Sequence, residues 1–145
     1  MRDTHSLLTR CFPGNRVGEL TADRGSTAVV WVYHRHLPCL FPQHGPAKKH
    51  ERRILLEPWQ RAHVSAAPWA FIRGCIRSDG CAYVNRTGRY EYLSYGFHNH
   101  SADILDIFES VCREVGLDCR RTVRDVRIYR RASVSRMLQE VGTKR

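Results

Sequence analysis

No stretch of this 145-residue chain approaches the run of about 18 apolar residues that a membrane-crossing helix needs. The opening "MRDTHSLLTRCFPG" also lacks the apolar core of a secretory signal. Both absences predict a soluble, cytoplasmic protein. The six cysteines, at 11, 39, 75, 81, 112 and 119, include no CxxC pair. A zinc site built on close-paired ligands is therefore not indicated, and buried reduced thiols are the reading favoured. His44 and His50, in a loop rich in proline and glycine, make only a weak metal pair. Acid is scarce as well: 14 Asp and Glu stand against 24 Lys and Arg, a net charge of +10. An excess of that size is the electrostatic footprint of a nucleic-acid binder.

What is present is ordinary in composition, with 42% hydrophobic and 26% charged residues, and long enough for one domain or slightly more. Apolar residues at helical spacing put Leu7, Leu8, Cys11 and Phe12 on one face of a first helix, stopped by Pro13-Gly14. "RVGELTA" and "STAVVWVYHR" read as strands. "CLFPQHGPAKKHERR" reads as an exposed basic loop. Pro58 and Pro68 each open a helix, and the second runs to Gly80. "CAYVN" and "RYEYLSYGFHN" flank "RTG" as a hairpin, with Leu93, Tyr95 and Phe97 on one face and Tyr90, Tyr92, Ser94 and His98 on the other. Ser101 caps a helix whose stripe is Ile104, Ile107, Phe108, Val111, Cys112 and Val115. "DVRIYRR" is a strand with Val126 and Ile128 inward and Arg127, Tyr129 and Arg131 outward. "SVSRMLQEVG" is a last helix with Val134, Met137, Leu138 and Val141 as its apolar side.

The order of elements repeats. "SLLTRCFPG" parallels "DIFESVCREVG", and "VWVYHRHLPCLF" parallels "VRIYRRASVSRML". This predicts two copies of one unit, the first lacking its opening helix and hairpin. The domains expected are a truncated half-unit over 1–42, a basic linker and short helix over 43–67, and a complete unit over 68–145.

One acid in this layout needs explaining. Asp79 ends the helix "WAFIRGCIRSD", where a carboxylate meets the negative end of the helix dipole at a cost of roughly 0.3–1 kcal/mol. The stretch "IRGCIRSDG" (72–80) resembles the LAGLIDADG motif of homing endonucleases, through Gly74, Ile76 and the terminal pair Asp79-Gly80. "CLFPQHGPAKKHERRILLEPWQ" and "FHNHSADILDIF" extend the resemblance to a bacterial branch whose members usually carry two motifs in one chain.

The resemblance implies an α+β unit of helix, hairpin, helix, hairpin and helix, with a saddle-shaped antiparallel sheet lying in the major groove of double-stranded DNA. It implies that two motif helices pack side by side, Gly74, Cys75 and Ser78 letting their backbones approach. It makes Asp79 the catalytic acid and, with Gly80, a ligand of Mg²⁺, a cation that takes hard oxygen donors. The helix end and the carboxylate repel each other but jointly favour such a cation. DNA contacts would come from Tyr90, Tyr92, Ser94, His98, Arg127, Tyr129 and Arg131, with Lys48, Lys49, Arg52 and Arg53 on phosphates or merely solvated. For each outward residue a plain solvated face is the competing reading. The implied catalytic lysine cannot be placed, and Lys144 in the tail fits the role poorly.

Two departures matter. Arg77 stands where the motif often carries an acid, and there is one motif rather than two. Three readings follow: a homodimer through residues 70–79, a remnant that binds DNA without cutting it, or a DNA-binding regulator. A small protein-interaction domain is the reading outside nucleic acids.

Overall fold

The computed structural model describes residues 2–22 and 27–143. The chain divides into two compact units between His44 and Gly45. Among the described residues no helix is long and apolar enough to cross a membrane.

The first unit is helix α1 (Arg2–Cys11), hairpin strands β1 (Val17–Ala22) and β2 (Thr27–Val32), and a single turn α2 (Leu37–Leu40). The strands pair antiparallel from Val17–Val32 to Ala22–Thr27. Phe12 is its one buried hydrophobic side chain among the described residues. Leu7 and Cys11, expected on the inner face of α1, are exposed. Two strands offer too little area to cover a full helical stripe, so only part of it finds cover.

The second unit opens with a 3₁₀ turn (Lys49–Glu51) and helix α3 (Pro58–Ala66). Helix α4 (Pro68–Asp79) then leads into β3 (Gly80–Thr87) and β4 (Tyr90–His98). Helix α5 (Ala102–Glu114), the short β5 (Arg120–Arg121), β6 (Asp125–Ile128) and α6 (Arg131–Glu140) complete it. The four strands form one antiparallel sheet in the order β3-β4-β6-β5. The helix starts follow their local chemistry. Pro58 and Pro68 take first-turn positions, where no N–H is missed. Glu57 and Gln60 form a capping box at α3. The Ser101 hydroxyl accepts from the Ile104 N–H at 3.4 Å to cap α5.

Helices α4, α5 and α6 contribute to a core on one side of the sheet. Ile72 and Ile76 from α4 meet Tyr95 and Phe97 from β4, Val126 and Ile128 from β6, Leu105, Phe108 and Cys112 from α5, and Met137 from α6. The Phe97 and Phe108 rings lie 4.4 Å apart between centroids. The Tyr95 hydroxyl donates to the Gly142 carbonyl at 3.0 Å, so the one large polar side chain in this core is satisfied. The alternation in β4 is as the sequence predicts. The stripe of α5 is rotated: Leu105 is fully buried, while Ile107 is only half-buried and lies outside the core. Leu138, expected on the inner side of α6, is exposed, whereas Val134, Met137 and Val141 are buried.

The basic segment is no free linker. The Ile54 N–H donates to Asp103 Oδ2 at 2.6 Å, and Val64 packs against the core. Of the six thiols, Cys112 is buried, Cys75 and Cys119 are half-buried, and Cys11, Cys39 and Cys81 are exposed. The expectation of buried thiols thus fails for those three. Burial pushes the Cys75 thiol up to about 12, with the Asp79 carboxylate adding to it.

The junction of α4 and β3 depends on Gly80. A Cβ there would lie 2.7 Å from the Ile76 Cα and 3.0 Å from the Gly96 carbonyl oxygen. Glycine is required by the closeness of helix and strand rather than by a special backbone angle. It is this closeness that carries Asp79 to the edge of the sheet.

The repeat seen in the sequence has a backbone counterpart. In each unit a helix ends shortly before a glycine in the left-handed region, Gly14 at φ +87° and Gly116 at φ +74°. A hairpin and a further helix follow, over 17–40 and over 120–140.

Candidate nucleic-acid interface

The face of the four-stranded sheet turned away from the core is polar, aromatic and basic. Strand alternation places Tyr83 opposite Ser94, Asn85 opposite Tyr92, and Arg127 opposite both Gly96 and Arg120. Tyr83, Asn85, Tyr92, Arg120, Thr122, Arg127 and Tyr129 line a shallow hollow on it. Two guanidinium groups directly across a strand pair repel each other. Arg127 Nη2 is offset by Asp125 Oδ2 at 3.2 Å, whereas Arg120 has no ion pair among the described residues. The fold thus holds an uncompensated cation beside three tyrosines, an arrangement suited to phosphates and base edges.

Of the contacts the sequence proposes, Tyr90, Tyr92, Tyr129, His98 and Arg127 all lie exposed on this face. Ser94 also points to this side, but it is fully buried and its hydroxyl accepts from Asn85 Nδ2 at 2.9 Å, so it holds the strands rather than meeting a ligand. Arg131 is not on the sheet: β6 ends at Ile128, and Arg131 is the first residue of α6. Arg52 Nη1 donates to the Gly45 carbonyl at 2.6 Å, tying it to its own loop. Lys48 stands 4.0 Å from Glu51 and is largely exposed, as is Arg53. The side chain of Lys49 and the whole of Lys144 lie outside the described residues. Tyr83, Asn85, Arg120 and Thr122 are contributions the sequence reading missed. Tyr83 and Asn85 alternate with Ala82 and Val84 in β3, and that signal was readable. A two-residue strand such as β5 leaves no periodicity to read.

Asp125 organises one end of the face. Its carboxylate takes His98 Nδ1 at 3.1 Å, Arg127 Nη2 at 3.2 Å and the Thr122 hydroxyl at 3.2 Å. These hydrogen bonds, His98 first, hold its pKa below the ordinary 3.8. A depressed carboxylate stabilises the fold above its unfolded value, and that contribution is lost as pH falls through the folded one. We therefore expect Asp125→Asn to lower stability at neutral pH, where the carboxylate's contribution is fully present, and to flatten the fall of stability below about pH 4. Removing this anion from a basic face should also raise affinity for a polyanion severalfold at low salt, read by binding titration. An unchanged affinity would show that the acid does not oppose the ligand.

Asp79 sits at the same end: it closes α4 directly before Gly80, whose partner in β4 is Phe97, the neighbour of His98. Asn99 is buried and its Nδ2 points to Asp79 Oδ2 at 3.4 Å. Its Oδ1 accepts from the Ser101 N–H at 3.0 Å, which settles which end of the amide faces the carboxylate. His98, His100 and His50 form a row with ring centroids 5.4 and 5.7 Å apart.

On α4, Gly74 and Ser78 are exposed together with Ala70 and Arg77, and a Cβ at Gly74 would meet nothing within 4 Å. Cys75 turns toward the chain's own core. Arg73 also turns inward, its Nε and Nη2 donating to the Glu140 carbonyl at 3.0 and 2.6 Å, where a cation suits the end of α6. Among the described residues no three His, Cys, Asp or Glu side chains are placed to hold a metal ion. A single chain offers the Asp79 carboxylate there as a hard-oxygen donor, and Mg²⁺ is held by one or two carboxylates with its remaining positions on water. The chain matches no protein-family model and no curated protein sequence.

Proposed function

We propose that this protein binds double-stranded DNA through the outward face of the four-stranded sheet, as a protein of the LAGLIDADG homing-endonuclease type. The observation that carries the reading is the opposed pair Arg120 and Arg127, set among Tyr83, Tyr92 and Tyr129 on an exposed sheet face. The helix, hairpin, helix, hairpin, helix order from Pro68 to Glu140 supports the type. The net charge of +10 supports the ligand.

Hydrolysis of DNA by this protein would require two copies. One chain brings one Asp79, and the exposed Gly74 and Ser78 on α4 leave room for the same helix of a partner. Arg77 on that face opposes a symmetric approach, since like charges would meet. A second reading, a DNA-binding regulator without nuclease activity, is favoured by the single Asp79 per chain and by Arg77 on the exposed face of α4.

The test is the salt dependence of duplex binding. Removing a side chain that neutralises one phosphate should lower the slope of log K against log salt by about 0.9. The double variant Arg120→Ala, Arg127→Ala should flatten the slope by about 1 to 2 and weaken binding at low salt. A slope equal to that of the parent chain would move the DNA surface elsewhere.

A further inference from the structure

The hairpin of the first unit carries a separate aromatic and basic face, to which the duplex reading gives no role. Gly18 pairs with Trp31, and a Cβ at Gly18 would lie 2.3 Å from Trp31 Cε2 and 2.4 Å from Cζ2. The indole therefore lies across the glycine, with one ring face covered and the side chain still 37% exposed. Tyr33 follows two residues later on the same side and is 79% exposed. Its backbone is held by Asn15, whose Nδ2 donates to the Tyr33 carbonyl at 2.7 Å. Tyr33 borders two shallow hollows: Arg16, Gly18, Glu19 and Trp31 line one, and Asn15, His34, Arg35 and Leu37 the other.

The geometry selects among ligands. An extended chain advances about 3.3 Å per residue, so the two rings spring from points about 6.6 Å apart. Bases in a duplex strand are stacked at about 3.4 Å, and their faces are covered by their neighbours. Unpaired bases can spread to the wider spacing and offer their faces to the rings. Arg16 and Arg35 supply a cation to each hollow, and Glu19 is the one acid among the lining residues. We infer that this face binds single-stranded nucleic acid, with bases stacked on Trp31 and Tyr33 and the backbone near Arg16 and Arg35. The inference does not depend on the duplex reading, because its residues all belong to the first unit. Its rival is a protein partner, toward which the neighbouring exposed Leu20 and Val29 would point.

The experiment titrates the full chain into a labelled oligothymidine of about eight nucleotides, within the span one small domain covers. Tyr33→Ala and Trp31→Ala should each weaken binding about tenfold, the loss typical of one stacked base, and Trp31→Phe should restore most of it. Duplex affinity should stay within about twofold in all three, whereas Arg120→Ala with Arg127→Ala should show the reverse pattern. Trp31→Ala uncovers Gly18 and can disturb the hairpin, so Tyr33→Ala, which removes an exposed ring, decides if that variant unfolds. In a chain retaining Trp31 alone, after Trp59→Phe and Trp69→Phe, oligothymidine should quench the emission. No binding, no quenching, or an affinity unchanged in Tyr33→Ala would each overturn the inference. A change in sedimentation of that variant in place of a change in affinity would assign the face to a protein.

Discussion

Replacing Gly80 by alanine should cost the second unit about 3 kcal/mol and lower its melting temperature by more than about 10 °C. The added methyl has no path of relief. It would meet the Cα of Ile76 at 2.7 Å on the helix side and the carbonyl oxygen of Gly96 at 3.0 Å on the strand side. Both are backbone atoms in regular elements, so relaxation must separate α4 from the sheet. That separation would expose Ile72 and Ile76, both buried in the parent chain. Gly74→Ala supplies the contrast. It lies nearly two turns earlier on the exposed side, in open space, and alanine favours a helix interior over glycine by about 1 kcal/mol. Thermal unfolding followed by circular dichroism should show one variant falling and the other level or rising. Equal melting temperatures for Gly80→Ala and the parent would mean that helix and strand do not approach this closely.

The second large effect concerns DNA cleavage. A monomer presents one Asp79 where the paired-acid centre needs two, so purified protein should nick plasmid poorly. Any Mg²⁺-dependent nicking should rise with the square of protein concentration below the dimer dissociation constant, because two chains are needed. Asp79→Asn should remove it, a loss of at least about a hundredfold when the acid is essential, with duplex affinity changed less than about twofold. Gly74→Leu, which adds bulk to the exposed face of α4, should abolish the concentration dependence together with the activity. Robust cleavage by chains that sediment as monomers would show that one acid suffices and that α4 needs no partner.

How much of this was legible in the sequence differs from element to element. The hairpin of β3 and β4 was readable because Leu93, Tyr95 and Phe97 alternate strictly with polar residues and the turn carries glycine. Helix α4 was bounded correctly by Pro68 and Gly80, two residues whose backbone chemistry is local. Reading α5 went wrong at Ile107 and Leu105. Both are apolar and three residues or fewer from Phe108, so helical spacing alone could not decide which faces the core. Arg131 was read as the end of a strand because "DVRIYRR" alternates beyond the point where pairing stops. The partner strands set that end, and they are distant in sequence. For the outward face, residue types and exposure were foreseeable. That Ser94 is sealed by Asn85, or that Arg52 bonds its own loop, depends on three-dimensional neighbours that no local pattern encodes.

The distribution of thiols gives this protein a built-in chemical clock. Cys11, Cys39 and Cys81 are exposed, whereas Cys75 and Cys112 are held unreactive by burial, with pKa values raised well above the free-thiol range. Only the thiolate alkylates, so a native sample should label in two waves, the first complete in minutes and the second as slow as the core opens. Cys75 lies on α4 and Cys112 on α5, and the core holds both helices together. The rate of the second wave is therefore a direct measure, residue by residue in a mass spectrum, of how often α4 lifts away from α5.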